Sequence, residues 1–337
     1  MKYSNKFLDF SMNFTHIQNK RVINRFKKNF NNLLKTYPEL DNKSLISKIS
    51  KHYSISKENL YVGLGATEII HKTISIFPSK SIRILCPTFW EYEYFAKKIG
   101  KKVNKFYLKE DSNFELSLNE FEKTIKDNEI VLLCNPNNPT SKLVKKNGLK
   151  KMIKKYSKTF FIIDETYLLF RDDYSKQSLV KEVSKFKNLF ILFSFSKIFG
   201  IGGLRIGVGV GRKKIISEFK KSYILFQTPI INQKIIYELL EDRKHLKKLK
   251  NFLTLEKKRI LKKLSQINGL KIINPDANFI LIKSKRGINL EKKLKKQGII
   301  VRGGKEFENL GKEWARVSIQ DKKSNNYLIK ELKKISS

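Results

Sequence analysis

Short apolar runs alternate along this chain with longer stretches whose apolar residues fall three or four apart among lysines. The runs are Leu60–Gly63, Ile82–Cys86, Val103–Leu108, Ile130–Cys134, Phe160–Asp164, Leu189–Ser194 and Arg205–Val210. They are polar only at their ends, as expected of strands buried on both faces, and the intervening 3.6-residue periodicity predicts helices. Strand and helix in alternation predict an α/β fold with a mainly parallel sheet covered by helices. After Lys213 the pattern changes. A long helical region is predicted to about Gln266, then strands near Lys271–Ile273 and Phe279–Lys283 and a helix over Leu290–Lys296. Strands near Ile299–Arg302 and Ala315–Ile319 follow, then a closing helix from Lys323. This part reads as a separate, smaller α+β unit. No internal repeat or low-complexity linker interrupts the chain.

A length of 337 residues suits a large domain with a smaller companion, and 40% hydrophobic residues exclude a mostly disordered chain. The net charge of +40 raises nucleic acid or an acidic membrane as partner. The excess is mainly lysine spread over helical stretches such as Lys145–Lys155 and Lys244–Lys263, without a nucleic-acid-binding signature. A basic nucleic-acid-binding protein is therefore the weakest of the readings carried here. Cys86 and Cys134 each end an apolar run and read as buried strand ends, and the four histidines lack ligand spacing, so neither disulfide nor metal is expected. Met1–Phe10 has no apolar signal core and no run is long enough to span a bilayer, so a cytoplasmic protein is expected.

Chemistry is expected at the carboxyl ends of the strands. Ser194-Phe195-Ser196-Lys197 follows one apolar run, and Gly202-Gly203-Leu204-Arg205 leads into the next. A lysine that forms an imine needs a sheltered pocket that lowers its ammonium pKa. A phosphate beside it needs the donors that Ser194, Ser196 and Arg205 carry. Phe160–Asp164 ends in a carboxylate, which taken alone reads as a helix N-cap. Asn135-Pro136-Asn137-Asn138-Pro139-Thr140 reads as a turn, and Cys86-Pro87-Thr88-Phe89-Trp90 as aromatic packing. Gly63-Leu64-Gly65-Ala66-Thr67 opens a helix whose amide groups suit a phosphate.

Together, in this order and spacing, these five motifs resemble the pyridoxal-phosphate aminotransferases of fold type I, over about residues 37–210. The resemblance implies a seven-stranded large domain over 36–235 and a small domain from 1–35 plus 236–337. It implies pyridoxal 5'-phosphate bound covalently through Lys197, with its phosphate held by Gly65, Ala66, Thr67, Ser194, Ser196 and Arg205. Asp164 would pair with the pyridinium nitrogen, Asn138 and Tyr167 would reach the phenolic oxygen, and Phe89, or alternatively Trp90, would stack on the ring. The catalytic set is then Lys197, Asp164 and Tyr167. Tyr37 would cross a dimer interface to the partner's cofactor phosphate, which implies a homodimer. Arg316, within Ala315-Arg316-Val317-Ser318-Ile319, would receive a substrate carboxylate.

Two departures stand out: Thr166 replaces the family's usual alanine and Ser141 its usual glycine. If the latter position needs a positive φ, the serine costs something and the loop rearranges. Within the family the chain most resembles histidinol-phosphate aminotransferases and threonine-phosphate decarboxylases. Leu8-Asp9-Phe10-Ser11-Met12-Asn13 and Ile300-Val301-Arg302 carry that similarity, and imply substrate contacts from Asn13 and Arg302. A phosphorylated amino acid or amine is the expected substrate. Transamination is the favoured reaction, with decarboxylation of a phosphorylated amino acid as the alternative.

Overall fold

The computed structural model describes residues 7–336. Its strands are β1 (Leu8–Asp9), β2 (Leu60–Gly63), β3 (Ser81–Cys86), β4 (Lys102–Tyr107), β5 (Ile130–Cys134), β6 (Phe160–Asp164), β7 (Leu189–Ser194) and β8 (Gly207–Val210). Then come β9 (Leu270–Ile273), β10 (Phe279–Ser284), β11 (Ile299–Ile300), β12 (Arg302–Gly303) and β13 (Trp314–Ser318). Seven form one sheet in the order β2-β8-β7-β6-β5-β3-β4. The run from β7 to β4 is parallel, and β8 lies antiparallel to both of its neighbours. Every residue of β2, β5, β7 and β8 is buried, as their unbroken apolar sequences require. The edge strand β4 is instead half-exposed and carries Lys102 and Lys105, charges that discourage pairing with a further strand.

This topology positions the site. From β3 the chain runs outward to β4, then returns to the other side of β3 as β5, which makes a switch point where a crevice opens at the carboxyl ends of the strands. The antiparallel strand β8 sets Gly207 opposite both Ser194 and Gly63. The segment entering β8, the end of β7 and the start of the helix Gly65–Ile76 therefore meet at one end of the sheet. The smaller unit is an antiparallel sheet, β12-β13-β10-β9, and β1 pairs in parallel with β11 beside it. Glu110, at the end of the β4 edge, bridges to Lys271 (3.0 Å) and Lys283 (2.8 Å) of that sheet.

The seven-stranded sheet agrees with expectation, and three details differ. Arg205 does not open β8. It follows a 3-10 turn at Gly202–Leu204 with a left-handed backbone, φ 45°, and the strand begins two residues later. The expected strand Ile299–Arg302 is split, because Ile299–Ile300 pairs with β1 whereas Arg302–Gly303 pairs with β13. The long helical region is three helices, Lys213–Lys221, Ile230–Glu241 and Arg243–Leu264. Pro229 stands at the start of the second, where a proline suits the first turn, and Asp242 caps the third by accepting from the His245 amide at 3.0 Å. Both cysteines are free and buried. Among the described residues no helix is long and apolar enough to cross a membrane, and no group of side chains could hold a metal ion.

Candidate active site

At the carboxyl end of β7, Ser194 caps the short helix Phe195–Ile198: its hydroxyl accepts from the Ser196 amide at 3.2 Å and donates to the Ile206 carbonyl at 2.9 Å. Lys197 projects from this turn into a cavity of about 210 Å³. Its amine has no hydrogen-bond or ion-pair partner among the described residues. Burial, helped by the charges of Arg316 and Arg205 and opposed by Asp164, lowers its pKa to about 8. The N-terminal segment holds the turn in place. The Thr15 amide donates to the Lys197 carbonyl at 3.0 Å, and the Gln18 side chain to the Gly200 carbonyl at 2.6 Å.

One wall is a donor cradle. Ala66, Thr67, Ser194, Ser196 and Arg205 all face the cavity, and the Ser196 hydroxyl is buried without a partner. Gly65 lies behind this wall. Its φ is +83°, and a Cβ there would stand 2.8 Å from the Arg205 guanidinium, so glycine lets the arginine lie across the helix start. Gly207 is required for the same close approach, since its Cβ would meet the Gly65 backbone at 2.5 Å.

Asp164 ends β6 on the opposite wall and is only 4% exposed. One carboxylate oxygen accepts from the Thr166 amide at 2.9 Å and the other from the Tyr92 hydroxyl at 2.8 Å. It forms no ion pair among the described residues. Burial pushes its pKa above the ordinary carboxylate value, opposed by these two donors and the Lys197 charge. Tyr167 faces the cavity, packed edge-on against Phe279 at 4.9 Å, with its phenol pKa raised by burial. Phe89 lines the cavity half-buried, whereas Trp90 stands 47% exposed at the rim.

The small sheet closes the site with two arginines, Arg302 and Arg316, paired across β12 and β13. Arg316 is 5% exposed and donates to Asn138 Oδ1 at 2.6 Å and to the Ser11 carbonyl, with the Phe279 and Phe307 rings each 5.6 Å away. Its Nε has no partner and no carboxylate meets it, and burial pulls its pKa down to about 10. A buried guanidinium without a counter-ion is costly, so this geometry suits an anionic ligand. Arg302 is half-exposed at the mouth and pairs with Glu306 at 2.9 Å. Asn13 is buried, and neither of its amide atoms has a partner.

Fourteen of the fifteen positions singled out in the sequence thus lie in or directly behind one cavity. Tyr37 does not. It is 83% exposed on the outer surface, against Phe226 at 5.6 Å. Ser141 does take a positive φ, 60°, and its hydroxyl accepts the Ala277 amide at 2.8 Å. Tyr92 was missed: it lies in the first turn of the helix Glu91–Lys98, and within Trp90-Glu91-Tyr92-Glu93-Tyr94 nothing in the local pattern sets it apart. The residues fit pyridoxal 5'-phosphate. Orphaned polar atoms on Asn13, Thr166, Ser196 and Arg316 all border the cavity, the cradle suits a phosphate, and a lysine of lowered pKa faces a buried carboxylate.

The profile of the family described as "Aminotransferase class I and II" matches residues 4–332. A histidinol-phosphate aminotransferase of Methanococcus aeolicus is 32% identical over 308 residues, covering 89% of this chain and 82% of that protein. A putative threonine-phosphate decarboxylase of Caldanaerobacter subterraneus subsp. tengcongensis is 29% identical over 304 residues, covering 89% and 83%. Among solved structures, the histidinol-phosphate aminotransferase from Clostridium acetobutylicum superposes with a TM-score of 0.90 at 29% identity, covering 98% of this chain and 99% of that one.

Proposed function

This chain belongs to the class I and II aminotransferases, and from that premise we propose that it moves the amino group of a small phosphorylated amine or amino acid, as a histidinol-phosphate aminotransferase does. It is an enzyme and its cofactor is pyridoxal 5'-phosphate. The observation that carries the substrate reading is the arginine pair: Arg316, buried without a carboxylate, and Arg302, one strand away at the mouth. Two cationic groups on adjacent strands suit two anionic positions, one on each substrate of the reaction.

The bound cofactor supplies an electron sink for charge developing at the substrate α-carbon. Lys197 would hold the cofactor covalently and, when the substrate's amine takes its place there, its released amine would carry a proton to and from the substrate α-carbon, a task for which a pKa near 8 is well matched. Asp164 would keep a proton on the ring nitrogen, while Tyr167 and the amide nitrogen of Asn138, whose oxygen accepts from Arg316, would serve the phenolic oxygen. Gly65, Ala66, Thr67, Ser194, Ser196 and Arg205 form the phosphate cradle. Phe89, inside the cavity, is favoured over the rim residue Trp90 for stacking on the ring. Asn13 and Arg316 would orient the substrate.

We assign the large domain to 36–235 and the small one to 1–35 plus 236–337, in a cytoplasmic homodimer. Phe30, Leu34, Tyr37 and Leu40, together with Ile224, Leu225 and Phe226, expose a set of large apolar side chains that a second copy would cover. This would bring Tyr37 to the partner's phosphate cradle. Decarboxylation remains the second reading, favoured by the same arginines, because a phosphorylated amino acid carries both anions itself. Single-turnover spectra separate the two. Histidinol phosphate should convert the bound cofactor to its amino form, whereas carbon dioxide released from O-phosphothreonine would select decarboxylation. A spectral response to unphosphorylated amino acids alone would refute the phosphorylated substrate.

A further inference from the structure

Arg302 and Arg316 are direct partners across the antiparallel strands β12 and β13. Side chains at paired positions project to one face of a sheet, and like charges placed there repel. Burial foremost lowers the Arg316 pKa and the Arg302 charge adds to it, whereas Tyr167, Glu306 and Asp9 act against them. The chain balances the two cations differently. Arg316 donates to Asn138 and the Ser11 carbonyl, and has no ion pair among the described residues. Arg302 has one, from its Nη2 to Oε2 of Glu306 at 2.9 Å, with the two side chains 35% and 39% exposed. The turn after β12 makes this pair: the 3-10 segment Gly304–Glu306 folds the chain back, so that residue 306 stands beside residue 302. Gly304 permits the turn, since a Cβ there would lie 2.2 Å from the Gly311 carbonyl oxygen. Arg302 and Phe307, on either side of the turn, both line the cavity, so the ion pair stands at its mouth.

We propose that Glu306 is a counter-ion that substrate displaces: it holds Arg302 while the site is empty and gives up the guanidinium to the phosphate of the ligand. The inference rests on the reading of Arg302 as an anion position. A guanidinium offers carboxylate and phosphate the same fork of N–H donors, so the two compete for one partner. The phosphate has the advantage, with a charge of about −1.5 to −2 and three acceptor oxygens against the single charge of a carboxylate. Exposure lets Glu306 leave, because a carboxylate near the surface exchanges its partner for water at little cost. The Arg83–Glu129 pair is the opposite case: its side chains are 6% and 1% exposed, and separating them would strand a buried charge. A co-substrate that carries no anion at this position leaves the Arg302–Glu306 pair closed and strands neither partner. Glu306 thus sets how strongly the mouth favours a phosphorylated ligand, and lets one pocket take an unphosphorylated partner as well.

Calorimetric titration of enzyme loaded with pyridoxal 5'-phosphate tests this, with inorganic phosphate as the probe, at constant ionic strength and a pH where it is mostly dianionic. Wild type is compared with Glu306→Gln, Arg302→Gln and the double variant. Glu306→Gln keeps the side-chain shape and removes the competing charge, so phosphate should bind about threefold more tightly, within the range of an exposed ion pair. Arg302→Gln should weaken binding by at least about tenfold, the scale of hydrogen bonds to a charged group. In the Arg302→Gln background the Glu306 change should then have no further effect, because the carboxylate has nothing left to release. Glu306→Ala serves as a second variant and should behave like Glu306→Gln. Unchanged or weaker binding in both Glu306 variants, with Arg302→Gln still impaired, overturns the displaced counter-ion. So does a gain of equal size in the Arg302→Gln background, which would mark long-range charge alone. Phosphate affinity unaffected by Arg302→Gln overturns the anion position itself, the reading on which the inference rests.

Discussion

Two buried carboxylates lie on neighbouring parallel strands of the large sheet, at opposite ends. Glu129 precedes β5 and is met by Arg83 at 2.7 Å and 3.3 Å, Asn104 at 3.3 Å and the Lys126 amide at 2.8 Å. Its charge is balanced and its acceptor positions are filled by the protein. Asp164 ends β6 and meets only neutral donors, with a cavity beside it. Each is equally hidden from water, yet only one is complete. A carboxylate satisfied within the chain belongs to the fold, whereas one left without a cation reserves a place for something the chain does not itself contain. The same contrast separates the arginines: Arg83 has its carboxylate, and Arg316 has none.

The comparison breaks if exchanging the two carboxylates' roles leaves no trace in experiment. Asp164→Asn should fold and retain cofactor while losing at least about a hundredfold in turnover, the scale of a lost proton-holding group; turnover within tenfold of wild type would show that the wrong carboxylate has been chosen. Arg83→Ala should do the reverse. By stranding Glu129 it should cost about 3–5 kcal/mol in denaturant unfolding, while the cofactor spectrum and the rate per folded molecule stay near wild type. The smallest effect concerns Lys197. Its amine is protonated below about pH 8, so association of the apoprotein with pyridoxal phosphate should accelerate as pH rises through 8 and level off above it. Because the Arg316 charge contributes to that lowering, Arg316→Gln should move the midpoint upward, read from the growth of visible absorbance. A downward move would contradict the electrostatic account.

Much of this was legible in the sequence because the residues concerned sit at the ends of apolar runs, and the runs themselves reveal the strands. Lys197, Asp164 and Asn138 lie at or just beyond such ends, but their roles came from the resemblance of the five motifs; taken alone, Asp164 read as a helix cap and Asn138 as part of a turn. What the pattern concealed is set by contacts between distant segments. Tyr92 donates to a carboxylate 72 positions away. The cost of serine at 141 is met by an amide on the other unit, 136 positions on. Arg205 reads as the first residue of an apolar strand, whereas it takes a left-handed backbone outside the ladder, with its guanidinium lying against Gly65, 140 positions away. The pairing of Arg302 with Arg316 depends on strand register, which no local periodicity reveals.

The account stands or falls on which lysine holds the cofactor in a chain whose surface is crowded with them. Borohydride reduction of the enzyme loaded with pyridoxal 5'-phosphate, followed by peptide mass spectrometry, answers this directly. The account predicts a single stoichiometric label on the peptide containing Lys197, absent in Lys197→Ala, whose turnover should fall by at least about four orders of magnitude. Label on any other lysine at the same stoichiometry, or a Lys197→Ala enzyme with near-normal turnover, would contradict it.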